Sequence, residues 1–239
     1  MEKKYIKYQL KSYLLLGGEH TIDYAKQDWG LECTGFRQSP IDIKICNSKF
    51  NKKLSFVPHY MLTDVDIEIN THTFKINYNT TDNYVIYNGI KYILQQFHFH
   101  WPSEHTFDGN KSPLEIHLVH KVNEQYKRNI IKNFLVISIL CNESNICTWC
   151  NNFLENGQLT KQSKIKFDAS IFNIQQRNEY FTYSGSLTTP NCDEDVRWII
   201  MKRQNNVSKQ LLDAFKTIIK TNARFIQADS CREIDRNFS

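Results

Sequence analysis

The sequence predicts a predominantly β (α+β) domain with a few peripheral helices, and three observations predict it. Strand-like alternation of apolar and polar side chains dominates the first two-thirds of the 239 residues, the period of a half-buried strand. Asn88-Gly89 and Asp108-Gly109 punctuate that alternation, and both pairs suit the type I′ hairpin turn, whose two central residues sit at positive φ. Helical periodicity is confined to two stretches in the second half of the chain.

Taken in order, strands are expected at 66–70 (D-I-E-I-N), 73–78 (T-F-K-I-N-Y), 83–87, 92–101, 114–122 and 134–141. The first helix is expected over 147–156, where Ile146, Trp149, Cys150, Phe153 and Leu154 fall at helical spacing. The second is expected over 208–221, where Leu211, Leu212, Phe215, Ile218 and Ile219 share a face and Ser208 is placed to cap the first turn. No internal repeat, low-complexity run or linker divides the sequence, so residues 1–239 read as a single domain.

Composition excludes several classes. With 8 glycines, 5 prolines and 41% apolar side chains, collagen-like, linker-like and disordered readings fail. No run approaches the roughly 20 apolar residues of a membrane span. The net charge of +5 comes with scattered lysines, Lys3-Lys4 and Lys52-Lys53 being the densest groups, so a mildly basic solvated surface is expected and no nucleic-acid partner. The early lysines are not followed by a sustained apolar stretch, so the chain is either cytosolic or numbered from after a removed leader. Seven cysteines, an odd number without a tight framework, argue against a disulfide scaffold. Cys147-Thr148-Trp149-Cys150 could suggest redox or zinc chemistry, but its spacing places both thiols on a packed helix face.

The informative segment is 95–120, which holds five of the eight histidines. His98 and His100 are i and i+2 on a strand and project from one face. His117 follows after a loop long enough for the next strand to return beside them. Three imidazoles converging on one point satisfy the requirement of a catalytic metal site, three protein ligands and one open position. Imidazole ligation alone suits zinc, copper, iron or nickel. Gln96 and Glu115 each precede a histidine by two residues, on its face, where they can orient the ring. His105 is less suited as a ligand, His120 points to the opposite face, and His20 and His59 read as surface or structural residues.

Q-F-H-F-H-W, followed by S-E-H-T and E-I-H-L-V-H, resembles the signature of the alpha-class carbonic anhydrases. R-Q-S-P-I-D-I at 37–43 resembles that family's N-terminal motif. Y-S-G-S-L-T-T-P-N-C at 183–192 resembles its Y-x-G-S-L-T-T-P-P segment, and Asn222, Arg224, Gln227 and Arg232 match its tail. The resemblance is collinear over 29–234, while 1–28 match poorly. It implies a large central, mostly antiparallel twisted sheet and the zinc-dependent reversible hydration of CO2 to bicarbonate and a proton, by attack of zinc-bound hydroxide. Carried over residue by residue, His98, His100 and His117 would bind Zn2+. Gln96, Glu115 and the backbone carbonyl of Asn222 would orient them. Thr188 would pass its proton to Glu104, and its N–H would face substrate or inhibitor anions, sulfonamides included, with Thr189 alongside. Val119, Val136, Leu187 and Trp198 would form the apolar wall for CO2. His72 would shuttle protons, with Asn70 nearby, although Thr71 replaces the usual glycine. Cys33 and Cys192 match the disulfide of extracellular members, which, with five N-x-S/T sequons, implies a secretory or extracytoplasmic location. Asn191 replaces a proline, which puts a cis bond there in doubt, whereas Ser39-Pro40 suits one. Two other readings compete with the enzyme: a binding or adhesion module of the same family, and a zinc esterase.

Overall fold

A computed structural model describes Tyr24, Trp29 and residues 33–129, 132–176 and 178–239. In chain order its strands are β1 (Asp42–Ile43), β2 (Lys49–Phe50), β3 (Phe56–His59), β4 (Thr63–Ile69), β5 (Phe74–Tyr78), β6 (Tyr84–Tyr87) and β7 (Ile90–His100). There follow β8 (Thr106–Phe107), β9 (Leu114–Val122), β10 (Phe134–Glu143), β11 (Leu154–Glu155), β12 (Gln158–Leu159) and β13 (Lys164–Phe167). The last are β14 (Tyr180–Gly185), β15 (Val196–Met201), β16 (Asn205–Val207) and β17 (Asp235–Arg236). The helix α1 (Lys209–Ile218) and short 3-10 turns complete the described residues. The six expected strands are all present, within a few residues of their expected bounds.

Thirteen strands form one sheet, whose main path runs β13-β4-β5-β7-β9-β10-β15-β14-β17-β2. Most pairings are antiparallel, but β10 runs parallel to β15 and β16, and β17 parallel to β2. Both Asx-Gly turns form: Asn88 and Gly89 have φ of 49° and 80°, Asp108 and Gly109 47° and 79°.

Alternation along the central strands sends side chains to two apolar layers. Phe97 and Phe99 of β7, Leu114, Ile116 and Leu118 of β9, and Leu135, Ile137 and Ile139 of β10 enter the larger one, against Phe153, Trp149 and Phe215. Val136 of β10, Tyr183 of β14 and Trp198 of β15 enter a smaller one on the opposite face, with Val119 and Leu187 at its margin. Burying an aromatic or branched aliphatic side chain contributes about 1.5–3 kcal/mol, so the strand phases are firmly set. The phase of β7 changes once. The register slips between Leu94 and Gln96, and this bulge keeps both Leu94 and Phe97 in the core. It thereby turns Gln96, His98 and His100 to the other face.

The two helical expectations fare differently. Ser208 caps α1, its Oγ accepting from the Leu211 N–H at 3.2 Å. The helix stops at Ile218, short of 221, because Ile219 turns extended and gives its carbonyl to Trp101 Nε1 at 3.0 Å. The helix expected over 147–156 is not formed. Its apolar spacing is satisfied by one 3-10 turn, Cys150–Phe153, followed by the hairpin β11–β12. Asn156 and Gly157 take φ of 49° and 79° there, so a two-residue hairpin turn prevails over the helical period. Cys147 and Cys150 are also joined in a disulfide, which corrects their reading as packed thiols. Cys33 and Cys192 are bridged as the resemblance implies. The cis peptides are Ser39-Pro40, as expected, and Trp101-Pro102.

Candidate active site

His98 and His117 are directly paired across β7 and β9, and His100 lies opposite Glu115. The three rings meet with centroids 4.9 Å (His98–His100), 5.3 Å (His98–His117) and 4.6 Å (His100–His117) apart. Each offers a ring nitrogen, and the three nitrogens lie within 4.8 Å of one another. The other nitrogen of each ring is engaged. His98 Nδ1 donates to Gln96 Oε1 at 2.8 Å, His100 Nδ1 to the Asn222 carbonyl at 2.8 Å, and His117 Nε2 to Glu115 Oε1 at 2.6 Å. Those bonds select the tautomers, leaving His98 Nε2, His100 Nε2 and His117 Nδ1 for a ligand. His100 Nε2 is buried without a protein partner. An unpaired buried nitrogen is costly, and a cation there would satisfy it. Burial holds all three imidazoles below their ordinary pKa, His100 at about 4. They are therefore neutral at pH 7, the state a metal requires. The donor set fits Zn2+.

Beneath the imidazoles, Glu115 accepts five hydrogen bonds. Oε2 takes the backbone N–H groups of Glu104 (2.7 Å) and His105 (2.8 Å), and Oε1 takes His105 Nδ1 (2.7 Å), His117 Nε2 (2.6 Å) and Ser138 Oγ (2.6 Å). Burial raises its pKa, but the His105 and His117 imidazoles outweigh that and hold the carboxyl well below the usual carboxylate range. His105 is thus a partner of this carboxylate; its Nε2 meets the Tyr183 hydroxyl at 2.7 Å, which in turn lies 2.9 Å from Ser39 Oγ. Gly185 permits the close approach: a Cβ there would sit 2.2 Å from Ser39 Oγ and 2.9 Å from Trp198 Cδ1.

Glu104 is fully buried, 3.5 Å from His100 Nδ1 and 3.8 Å from His117 Nδ1. Burial pushes its pKa up to about 7. Oε1 accepts the Arg224 N–H at 2.8 Å. The Thr188 hydroxyl acts on the same carboxyl and favours its charged form, although Oε2 has no partner at full hydrogen-bonding geometry. Val136 and Trp198 are buried, with Val119, Leu187 and Thr189 half-buried. The Trp198 ring stands 4.9 Å from that of His117.

His72 is half-buried with Nδ1 unpartnered, its N–H bound to Asn70 Oδ1 at 2.9 Å. Its ring lies 6.3 Å from that of Tyr24, whose hydroxyl burial pushes up. Asn222 does more than its carbonyl suggested. Its side-chain amide donates to the His72 and Phe99 carbonyls, at 2.9 and 2.8 Å, and its oxygen accepts the Trp101 N–H at 3.0 Å. His120 lies on the opposite face, buried, with Nε2 2.9 Å from the Tyr60 hydroxyl. His59 is exposed and stacks on Tyr84, and His20 lies outside the described residues. A groove of about 760 Å³ between α1 and strands β4 and β12 contains none of the histidines.

The family model described as eukaryotic-type carbonic anhydrase matches residues 17–238. The chain belongs to that family. A carbonic anhydrase of Neisseria gonorrhoeae is 32% identical over 213 residues, covering 87% of this chain and 80% of its own. Carbonic anhydrase 6 of Homo sapiens is 29% identical, covering 96% and 88%. Among solved structures, the alpha-carbonic anhydrase of Thermovibrio ammonificans, in complex with sulfanilamide, superposes with a TM-score of 0.73 at 29% identity, covering 84% of this chain and 87% of that one. Carbonic anhydrases hydrate CO2, and that reaction is the activity class of this chain. The residues that sequence reasoning missed are Ser138, Tyr183, Ser39 and the side chain of Asn222. Only the family-like blocks around the last three mark them in the sequence, and Ser138 carries no signal beyond its place on β10 opposite His117.

Proposed function

We propose that His98, His100 and His117 hold Zn2+ and that the chain converts CO2 and water to bicarbonate and a proton. The observation that carries the reading is the set of three neutral imidazoles, each with one nitrogen fixed by its own acceptor and the other turned to a common point. Zn2+ bound there supplies a Lewis acid that lowers the pKa of water from about 15.7 to about 7, a figure for which carbonic anhydrase is itself the reference case.

The protein supplies the rest. Glu104, anchored by the Arg224 N–H, accepts a hydrogen bond from the Thr188 hydroxyl. The Thr188 oxygen then serves as the acceptor that orients the attacking water-derived nucleophile. The Thr188 N–H faces the negative charge that develops on the substrate oxygens. CO2 is uncharged and without a dipole, so Val119, Val136, Leu187 and Trp198 hold it by apolar contact, with Thr189 beside them. The proton leaves through His72, an imidazole being the side chain whose unperturbed pKa, about 6.5, suits exchange near neutrality. A sulfonamide anion would bind the metal that the three imidazole nitrogens hold, with the Thr188 N–H as a hydrogen-bond donor to it. Two disulfides fit an oxidising compartment and support a location in the secretory pathway or outside the cytoplasm.

Stopped-flow CO2 hydration, run with metal analysis and sulfonamide titration, tests the reading. Stoichiometric zinc, rapid hydration and its inhibition by sulfonamide are the expected results. Zinc-loaded protein that does not hydrate CO2 refutes it.

A further inference from the structure

The Cys147–Cys150 disulfide takes no part in the proposed reaction. It spans a separation of only 3 residues and sits where the irregular segment 144–149 meets the 3-10 turn Cys150–Phe153. Its two sulfurs are in unlike places. Cys147 is half-buried between exposed Ile146 and Thr148, whereas Cys150 is buried. The Ser208 backbone N–H donates to Cys150 Sγ at 3.3 Å. Ser208 is the N-cap of α1, so this sulfur also lies at the positive end of a ten-residue helix.

We propose that Cys147–Cys150 is a thiol–disulfide exchange site for dithiol reductants, attacked at Cys147 with Cys150 as the leaving thiolate. Exchange requires a sulfur that an attacking thiolate can reach and a leaving sulfur whose negative charge is stabilised. Cys147 meets the first need. The Ser208 N–H and the helix terminus meet the second, since donors and helix N-termini favour thiolates.

The chemistry balances without another reactant. A deprotonated thiol of the reductant attacks Cys147 Sγ, forming a mixed disulfide. The Cys147–Cys150 bond breaks and its electron pair stays on Cys150. The reductant's second thiol loses its proton and attacks the reductant sulfur in the mixed disulfide, releasing Cys147 as a thiolate. Two electrons pass to the protein, the reductant becomes a disulfide, and the two cysteine thiolates take up the two protons the reductant lost.

The other bridge differs. Cys33 and Cys192 are 159 residues apart, and side chains from two distant segments hold their carbonyls: Arg224 Nη2 at 3.4 Å from that of Cys33, and Gln38 Nε2 at 3.1 Å from that of Cys192. Cys33 is half-buried and Cys192 buried, as Cys147 and Cys150 are, so the bridges differ in the length of chain they close and in the Ser208 N–H that Cys150 Sγ accepts.

The test uses the oxidised full chain under native conditions with limiting dithiothreitol. Samples are quenched in acid over time, alkylated, and mapped by peptide mass spectrometry. Cys147 and Cys150 are expected to open at least about tenfold faster than Cys33 and Cys192, the latitude that thiol pKa effects on exchange rates allow. In a parallel reaction with reduced glutathione and iodoacetamide, glutathione is expected on Cys147 and the alkyl group on Cys150. Equal rates for the two bridges, or glutathione on Cys150, overturn the proposal.

Discussion

Replacing Glu115 by Gln tests how much of the site rests on one carboxylate. The substitution preserves size and shape but removes the charge and turns one acceptor oxygen into an NH2 group. Glu115 accepts two backbone N–H groups on Oε2 and three side-chain donors on Oε1. If the amide oxygen keeps the three side-chain donors, its NH2 confronts the Glu104 and His105 N–H groups. If it is turned around, the NH2 confronts His105, His117 and Ser138. At least two buried donors lose their acceptor either way, at about 1–3 kcal/mol each. We expect a loss of about 4 kcal/mol in urea unfolding, equivalent to a fall in Tm of about 10 °C for a chain of this size. Zinc affinity, measured by chelator competition, should fall about 10–100-fold, the range for removing a partner that orients a metal-binding histidine. A variant that unfolds within about 1 kcal/mol of the parent and holds zinc as tightly would refute the network argument.

His72→Ala should lower the maximal hydration rate in weak buffer, with recovery on adding imidazole; an unchanged rate removes His72 from the proton path. His120 is buried and neutral, its pKa pushed down to about 3 by burial, while the unfolded chain takes up that proton near pH 6.5. Its contribution to stability is complete above 6.5 and is lost as pH falls, about 2 kcal/mol between pH 6.5 and 5. In urea unfolding across that window, His120→Gln should be less pH-dependent by that amount, and a parallel profile contradicts the assignment. Removing the Cys33–Cys192 bridge, which closes a separation of 159 residues, should cost about 5 kcal/mol on the chain-entropy model, against about 2 for Cys147–Cys150. Equal losses in the two double-serine variants would show that loop length is not what matters.

The sequence reveals the site more fully than it reveals the local structure that builds it. Gln96 and Glu115 are legible because period-two alternation puts them on the faces of His98 and His117, and both stand within hydrogen-bonding distance of those rings. The Gln95 bulge is not legible. It depends on Leu94 and Phe97 both finding room in the core, which only the packed sheet determines. The same limit explains the missing helix at 147–156. Trp149 and Phe153 are buried as a helix face would be, but the layer that buries them is the far side of β7, through Phe99. Once tertiary contacts supply that burial, a single 3-10 turn suffices, and Asn156-Gly157 is released to make a hairpin. The reach of the Asn222 side chain to three backbone groups on two segments, at His72 and at Phe99 to Trp101, has no local signal at all.

Asn222 and Arg224 also set an order of events. These two residues, some 120 positions beyond His100, hold the His100 ring, the Glu104 carboxyl and the His72 backbone. A chain still emerging from the ribosome can form β7, β9 and β10 before the tail exists, but His100 then lacks the acceptor that fixes its tautomer. On the proposed reading, tight metal capture would therefore be a late step that follows release of the C-terminal segment, and zinc supplied during synthesis would meet a set of imidazoles without the Asn222 acceptor.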